Sequence, residues 1–265
     1  MVAEINREKV RESFHKRAGE YDDYAVVQRR VVAKLVDTLR REQLHPDRLL
    51  DIGAGTGNLL KRLRELYPES LAVGADLAFG MCRTAADTLA ADRVHLVNAD
   101  AERLPFASGC FQLVLSTSTY QWLTSLEHAF TEVRRVLSPG GLFCFALFGE
   151  KTLYELRDSY KAALKSGPDR SHSFFSAADV QSALERAGFS GAAASSELEV
   201  EFHRDVPELL RSLKKIGAGT ATPVAAKGLS ERRVMLEMME SYQKTFGREE
   251  GIPATYEVIY GLGWK

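Results

Sequence analysis

An α/β fold with a mostly parallel, seven-stranded sheet is predicted by three observations: seven short apolar runs, amphipathic segments between most of them, and a glycine-rich loop directly after the first run. Apolar runs alternating with helical segments make βαβ units, and parallel sheets built from such units are covered by helices on both faces.

The elements follow in order. Residues 5–43 read as helical, with Val26, Val27, Val31, Val32, Leu35, Val36 and Leu39 at helical spacing. His45-Pro46 ends that stretch. Residues 48–52 form a first apolar run, 58–67 a helix closed by Pro68, and 71–75 a second run ending at Asp76. A helix over 80–89, strands over 94–97 and 111–116, and a helix over 126–137 come next. Ser138-Pro139-Gly140-Gly141 reads as a turn before a fully apolar strand over 142–148. A helix over 176–188 stops at Gly188, and the last strands are expected at 197–203 and 255–260. Residues 205–250 interrupt the alternation with helical spacing. The expected organisation is one domain over 1–265, with N-terminal helices at 5–43, a core at 46–204 and 251–265, and a helical insertion at 205–250. Insertion and N-terminal helices together are expected to form a lid over the carboxyl edge of the sheet.

Composition excludes several classes. With 35 Lys and Arg against 36 Asp and Glu, the chain has no basic excess of the kind a nucleic-acid binder carries. Cys82, Cys110 and Cys144 are scattered and the histidines do not cluster, so no metal site is expected. Cys110 and Cys144 read as buried, inert thiols in apolar runs. No segment has the length and apolarity of a membrane span or a signal peptide, which predicts a cytoplasmic protein.

The chemistry is concentrated in Leu49-Leu50-Asp51-Ile52-Gly53-Ala54-Gly55-Thr56-Gly57. Glycines let the backbone turn sharply and approach a ligand, and the following helix N-terminus offers unpaired N–H groups. The spacing is G-x-G-x-G, which differs from the G-x-G-x-x-G of dinucleotide folds and lacks the G-K-[ST] of a P-loop. Asp76, roughly 20 residues beyond, stands where an acid accepts from two ribose hydroxyls. Asn98-Ala99-Asp100-Ala101-Glu102-Arg103-Leu104-Pro105-Phe106 follows the third strand, and the fourth delivers Ser116 to the carboxyl edge. That edge is where open α/β sheets bind ligands.

These four segments, in this order over residues 49–149, resemble the class I S-adenosylmethionine-dependent methyltransferases, with their Rossmann-like fold. The resemblance implies that the loop wraps the amino-acid part of S-adenosylmethionine, and that Asp100 accepts from the adenine amine beside the Ala101 N–H. It implies a cofactor site of Asp51, Gly53, Ala54, Gly55, Gly57, Asp76, Leu77, Met81, Asp100, Ala101 and Ser116.

The flanks resemble the malonyl-(acyl-carrier protein) O-methyltransferase family of biotin biosynthesis. The matching residues are Phe14, Ala18, Tyr21-Asp22 and Ala25, Gln121-Trp122, Phe148-Gly149 with Thr152-Leu153 and Glu155-Leu156, residues 209–211 and 213–218, residues 251–261, and Trp264-Lys265. Ala54 stands where the family often has Cys. The resemblance implies methyl transfer to the free carboxylate of malonyl-acyl-carrier protein, or of malonyl-coenzyme A. A carboxylate is ionised at neutral pH and needs no general base. Substrate-positioning candidates are Tyr21, Gln121, Trp122, Arg157 and His172, with Lys214 as a further cation and Phe174-Phe175 at the acyl entrance. Carrier proteins are acidic, so Arg211, Lys214 and Lys215, in a basic insertion with Arg204, Lys227, Arg232 and Arg233, are the expected docking residues. The alternatives are a methyltransferase for small free acids of the trans-aconitate type, a binding module without catalysis, and a dehydrogenase, which the glycine spacing disfavours.

Overall fold

The structure, a computed structural model, describes residues 6–90, 93–164, 173–221 and 229–265. Seven strands form one sheet: β1 (Arg48–Ile52), β2 (Leu71–Asp76), β3 (Val94–Asn98), β4 (Phe111–Thr117), β5 (Leu137–Phe148), β6 (Ser190–His203) and β7 (Ile252–Trp264). Their order is β3-β2-β1-β4-β5-β7-β6. All pairings from β3 to β5 are parallel, and β7 runs antiparallel to both its neighbours. The order reverses between β1 and β4, which leaves a crevice at their carboxyl ends, the place where open α/β sheets hold ligands.

Helices cover both faces. On one, α6 (Leu126–Val136) and α8 (Ala177–Arg186) pack Phe130, Val133, Val180 and Leu184 against Phe143 and Phe145 of β5. Tyr120, Phe130, Phe143 and Phe145 meet at ring centroid distances of 4.4–5.9 Å, mostly edge to face. On the other, α3 (Val26–Arg41) and α4 (Asn58–Leu66) bury Leu35, Leu39, Leu59 and Leu60 against Leu49 and Leu113. α5 (Phe79–Thr88) joins β2 to β3 and buries Ala85 in the same cluster.

The 5–43 stretch is divided into α1 (Arg7–Arg17), α2 (Tyr21–Tyr24) and α3. Ala25 leaves the helical region, at φ −82° and ψ 53°, and Arg17-Ala18-Gly19-Glu20 forms the first corner. α7 (Tyr154–Ala163) had no counterpart in the periodicity reading. Between β6 and β7 come α9 (Val206–Lys215), a 3-10 turn at Ala218–Ala221 and α10 (Leu229–Phe246). A third cluster joins Ala25, Val27 and Val31 to Leu156, Leu209, Leu213, Met238, Tyr242 and Tyr256 above the sheet.

Three details differ from the sequence reading. Ser138–Gly141, expected as a turn, is part of β5, because the chain's last residue pairs with it: Gly140 N–H donates to the Lys265 carbonyl at 3.1 Å and Lys265 N–H to that of Gly141 at 3.0 Å. β6 begins seven residues before the expected Glu197 and β7 three before Thr255, since the small residues Ala192–Ser196 and Pro253 carry no strand propensity and are held by pairing alone. Cys110 is half-exposed, at the turn before β4, with its thiol against the Ala107 carbonyl; only Cys82 and Cys144 are buried.

Pro253, paired only on its β6 side, presents its carbonyl to the buried Tyr242 hydroxyl at 2.6 Å. Tyr242→Phe leaves that carbonyl without a partner and is expected to lower unfolding stability by about 1 kcal/mol. Denaturant unfolding tests this, and an unchanged midpoint would contradict it.

Candidate active site

The loop after β1 is built from its glycines. Gly53, Gly55 and Gly57 have φ of 73°, 55° and 89°, a left-handed region open to glycine at little cost. Gly53 and Ala54 N–H both bond the Ala75 carbonyl, at 2.7 and 3.1 Å, which ties the loop to β2. A Cβ at Gly53 would fall 2.6–2.7 Å from Thr119 Cγ2 and Cβ, so nothing larger fits between loop and crevice.

Two carboxylates stand beside the loop. Asp76, at the end of β2, accepts from the Gly55 N–H at 2.9 Å and the Ala78 N–H at 2.8 Å, one on each oxygen. Burial nevertheless raises its pKa, with those two amides opposing the shift. Asp51 is 1 % exposed and its Oδ1 has no hydrogen-bond partner. Burial, then the nearby Asp76 charge, pushes its carboxyl up to about 8. A buried, unpaired carboxyl beneath a cavity is what a cationic ligand group satisfies.

The crevice opens into a cavity walled by the loop at Gly53 and Gly55, by Asp76–Ala78 with Met81, by Ala99 and Ala101, by Thr117–Thr119, and by Trp122 and Leu123. α1 roofs it with Arg7, Val10, Arg11 and Phe14, and α2 adds Tyr21. Four polar contacts among the described residues hold this roof. Arg7 pairs with Asp100 at 2.5 Å and with Glu102; the Gly80 N–H donates to His15 Nδ1 at 2.9 Å; Thr56 Oγ1 donates to Asp22 at 2.8 Å.

A second cavity adjoins the first and shares Phe14, Tyr21, Ser118 and Trp122 with it. Its walls are largely apolar: Phe148, Leu153, Phe174, Leu213, Ile216 and Ala218, with Gln28, Gln121, Thr152 and Tyr256 as the remaining polar positions. None of its described lining residues carries a formal charge.

Of the expected cofactor residues, Gly53, Gly55, Asp76, Leu77, Met81 and Ala101 line the first cavity, and Asp51 lies buried beside Asp76. Ala54 borders a neighbouring hollow with Gln28 and Thr117, while Gly57 supports the turn into α4. Two more of the expected cofactor residues lie outside the first cavity's lining. Ser116 is fully buried and gives its hydroxyl to the Ile52 carbonyl at 2.7 Å, so it joins strands while Thr117–Thr119 face the cavity. Asp100 is outside the lining, its Oδ1 taken by Arg7 and by the Glu102 N–H at 3.0 Å.

Among the substrate-positioning candidates, Tyr21, Gln121 and Trp122 line the second cavity. Trp122 meets Phe14 edge-on at 5.7 Å, and Gln121 Nε2 donates to the Ser118 carbonyl at 2.6 Å. Burial and the Asp22 and Asp76 charges raise the Tyr21 pKa, so its hydroxyl stays a donor. Arg157 is not in the lining: its guanidinium lies 6.0 Å over the Phe174 ring and donates to the Glu150 carbonyl, outside the pocket wall. Phe174 lines the cavity, whereas Phe175 packs on the sheet core. His172 and Lys227 lie outside the described residues. Sequence reasoning passed over Arg7, Thr119 and Gln28; no local pattern marks them, because α1, α3 and the β4 loop reach the cavity only by folding. No His/Cys/Asp/Glu group among the described residues could hold a metal ion, and no described helix is long and apolar enough to cross a membrane.

Residues 50–145 match the family described as methyltransferase domain. The malonyl-[acyl-carrier protein] O-methyltransferase of Geobacter sulfurreducens is 53 % identical over 264 residues, covering 98 % of this chain and 99 % of that one. The protein of that name from Methylovorus sp. is 38 % identical, covering 98 % and 90 %. Among solved structures, the YcgJ protein from Bacillus subtilis superposes with a TM-score of 0.61 at 16 % identity, covering 88 % of this chain and 98 % of that one. Geranyl diphosphate C-methyltransferase from Streptomyces coelicolor, solved with S-adenosyl-L-homocysteine, superposes at 0.53 and 15 %, covering 88 % and 79 %. The structural matches carry the fold, and the identity over nearly full length carries the family: this chain belongs to the malonyl-[acyl-carrier protein] O-methyltransferases.

Proposed function

We propose that the protein transfers a methyl group from S-adenosylmethionine to the free carboxylate of malonyl-acyl-carrier protein, giving the malonyl methyl ester. The observation that carries this reading is the pair of adjoining cavities at the switch point, one beside the glycine loop and Asp76, the other largely apolar and with no formal charge among its described lining residues. The residues present fit the cofactor: Gly53 leaves a cradle that a Cβ would fill, and Asp51 keeps an unpaired buried oxygen. When bound, S-adenosylmethionine supplies an electrophilic sulfonium methyl group for direct transfer to a nucleophile.

The chain's own residues then have three tasks. Asp76 would receive the ribose hydroxyls, its geometry fixed by the Gly55 and Ala78 amides. Ala101 would sit beside the adenine, and Asp51 would face the amino group of the methionine part. Phe14, Trp122, Phe148 and Phe174 would exclude water from the acceptor. No base is required, since a carboxylate is already ionised, and a dry pocket favours a reaction in which the nucleophile loses its charge.

The Asp51 carboxyl gives this reading a pH signature. Its pKa is near 8 in the free protein, against an ordinary aspartate in the unfolded chain, so burial costs stability increasingly as the pH rises from about 4 to about 8. A cationic amine at that site favours the ionised form. Cofactor affinity is therefore expected to rise with pH up to about 8, by at most tenfold per unit, with proton release on binding. Calorimetry in buffers of differing ionisation enthalpy reads the released proton. Proton release that persists unchanged in Asp51→Asn would rule out this assignment.

For docking, exposure on α9 supports Arg211 and Lys214 over Lys215. Arg211 and Lys214 on α9 are exposed, whereas Lys215 pairs with Glu20 at 2.7 Å and lies over the Tyr24 ring. Lys214→Glu is expected to raise the KM for the carrier-bound substrate about fivefold at low salt, less at high salt, with cofactor affinity unchanged. An unchanged KM would remove Lys214 from the docking face.

Substrate choice is tested by comparing kcat/KM for malonyl-acyl-carrier protein, malonyl-coenzyme A, free malonate and trans-aconitate. The carrier-bound malonyl group is expected to lead. A free acid leading would replace the acceptor and keep the cofactor site.

A further inference from the structure

The second cavity has to receive a carboxylate, yet its described lining holds no cation. Its polar side chains are Tyr21, Gln28, Ser118, Gln121, Thr152 and Tyr256, and several of these are occupied. Gln121 Nε2 is bonded to the Ser118 carbonyl, and the Thr152 hydroxyl is held between the backbone carbonyl and N–H of Glu257, each at 3.2 Å. The hydroxyls of Tyr21, Ser118 and Tyr256 and the amide of Gln28 make no hydrogen bond among the described residues, and of these four Gln28, half-buried on α3, is the one that brings an amide with two N–H donors. It also borders the hollow formed by Gly53, Ala54, Thr117 and Ser118, so it stands where the acceptor cavity meets the glycine loop.

We propose that Gln28 binds the acceptor carboxylate, donating its side-chain N–H to the oxygen that does not attack, and so holds the anion through a neutral donor. This rests on the carboxylate-acceptor reading above. The physical reason is the charge change. As the attacking oxygen forms its bond to the methyl carbon, the carboxylate's negative charge disappears into a neutral ester. A guanidinium or ammonium on the carboxylate would stabilise the charged reactant more than the transition state and so raise the barrier. A neutral amide orients the group and lowers its nucleophilicity far less, since its bond to an ion is directional without carrying a net charge. The neutral ester product then binds more weakly and leaves. The Tyr21 hydroxyl, held protonated by burial and neighbouring carboxylates, is a second donor of the same kind.

The test measures the Kd of malonyl-acyl-carrier protein by calorimetry with S-adenosylhomocysteine present, for wild type, Gln28→Met and Gln28→Glu. Met keeps the length and removes the donor, and is expected to weaken binding about tenfold, the worth of a hydrogen bond to a charged group. Glu is expected to weaken it further at about pH 8, where two carboxylates face each other, and to regain affinity as the pH falls and the Glu takes a proton. The Kd of S-adenosylhomocysteine should stay within about twofold of wild type in both variants, given that Gln28 is assigned to the acceptor. Unchanged binding in both variants would overturn the assignment, and so would equal, pH-independent losses or a parallel loss of S-adenosylhomocysteine affinity. A wild-type protein that neither binds nor methylates malonyl-acyl-carrier protein would overturn the carboxylate reading and this proposal with it.

Discussion

Gly53→Val is expected to abolish cofactor binding, lowering affinity by about a thousandfold or more. Two effects combine. A β-branched residue at φ 73° is in a region that its side chain opposes, and its Cβ would drive into Thr119 within 2.6–2.7 Å of Cγ2 and Cβ. The chain can relieve this only by moving the loop or the β4 turn, and both are walls of the first cavity. The change is local, since Gly53 also bonds the Ala75 carbonyl through its own N–H, which a valine retains. Folding, read by circular dichroism, should survive while calorimetry with S-adenosylhomocysteine shows no heat. A paired change separates the two effects: Gly53→Ala with Thr119→Gly removes the clash and should recover part of the affinity lost in Gly53→Ala alone. Wild-type affinity in Gly53→Val would contradict the loop's placement against the ligand.

Asp76→Ala is expected to lower cofactor affinity about a hundredfold, equivalent to losing charge-assisted hydrogen bonds worth 2–3 kcal/mol in all. The carboxylate does two things that alanine cannot. It fixes the Gly55 and Ala78 amides at 2.9 and 2.8 Å, and it presents its remaining lone pairs to the cavity. Without it, the N–H groups of the half-buried Gly55 and the buried Ala78 lose their acceptor and the loop loses a tether to β2. Asp76→Asn retains one oxygen acceptor and should fall between wild type and alanine. Equal affinity in all three would remove Asp76 from the ribose position.

How far these residues could be read from the sequence depends on how local their chemistry is. Gly53, Gly55 and Asp76 follow from adjacent residues, because a strand, a left-handed turn and a strand-end acid are each written within a few positions. The alternation of runs was enough for the seven-stranded sheet, and identity to relatives over nearly the whole chain agrees with the family its motifs resemble. The boundaries were not legible where pairing overrides propensity: Ala192–Ser196 and Ser138–Gly141 are strands because β7 and the C-terminus bond them. Ser116 and Thr117–Thr119 differ by one residue at a strand end, enough to exchange a buried bond for a cavity wall. Arg157 carried the expected charge and sits outside the pocket wall, whereas Gln28, with no charge to draw notice, lies in it. Arg7 shows the same limit from the other side: its partners Asp100 and Glu102 are more than 90 residues away, and only the folded chain brings α1 across the crevice.

The most direct measurement follows the methyl group. Methylation of malonyl-acyl-carrier protein adds the same mass whether it falls on the carboxylate or on the carbon between the two carbonyls, so mass alone does not decide. S-adenosylmethionine labelled with carbon-13 in its methyl group, followed by carbon NMR of the carrier-bound product, does decide. The account predicts a methyl signal in the ester range that mild alkali removes as methanol. A signal in the alkyl range, stable to alkali, would place the methyl on carbon and contradict the proposed transfer to the carboxylate.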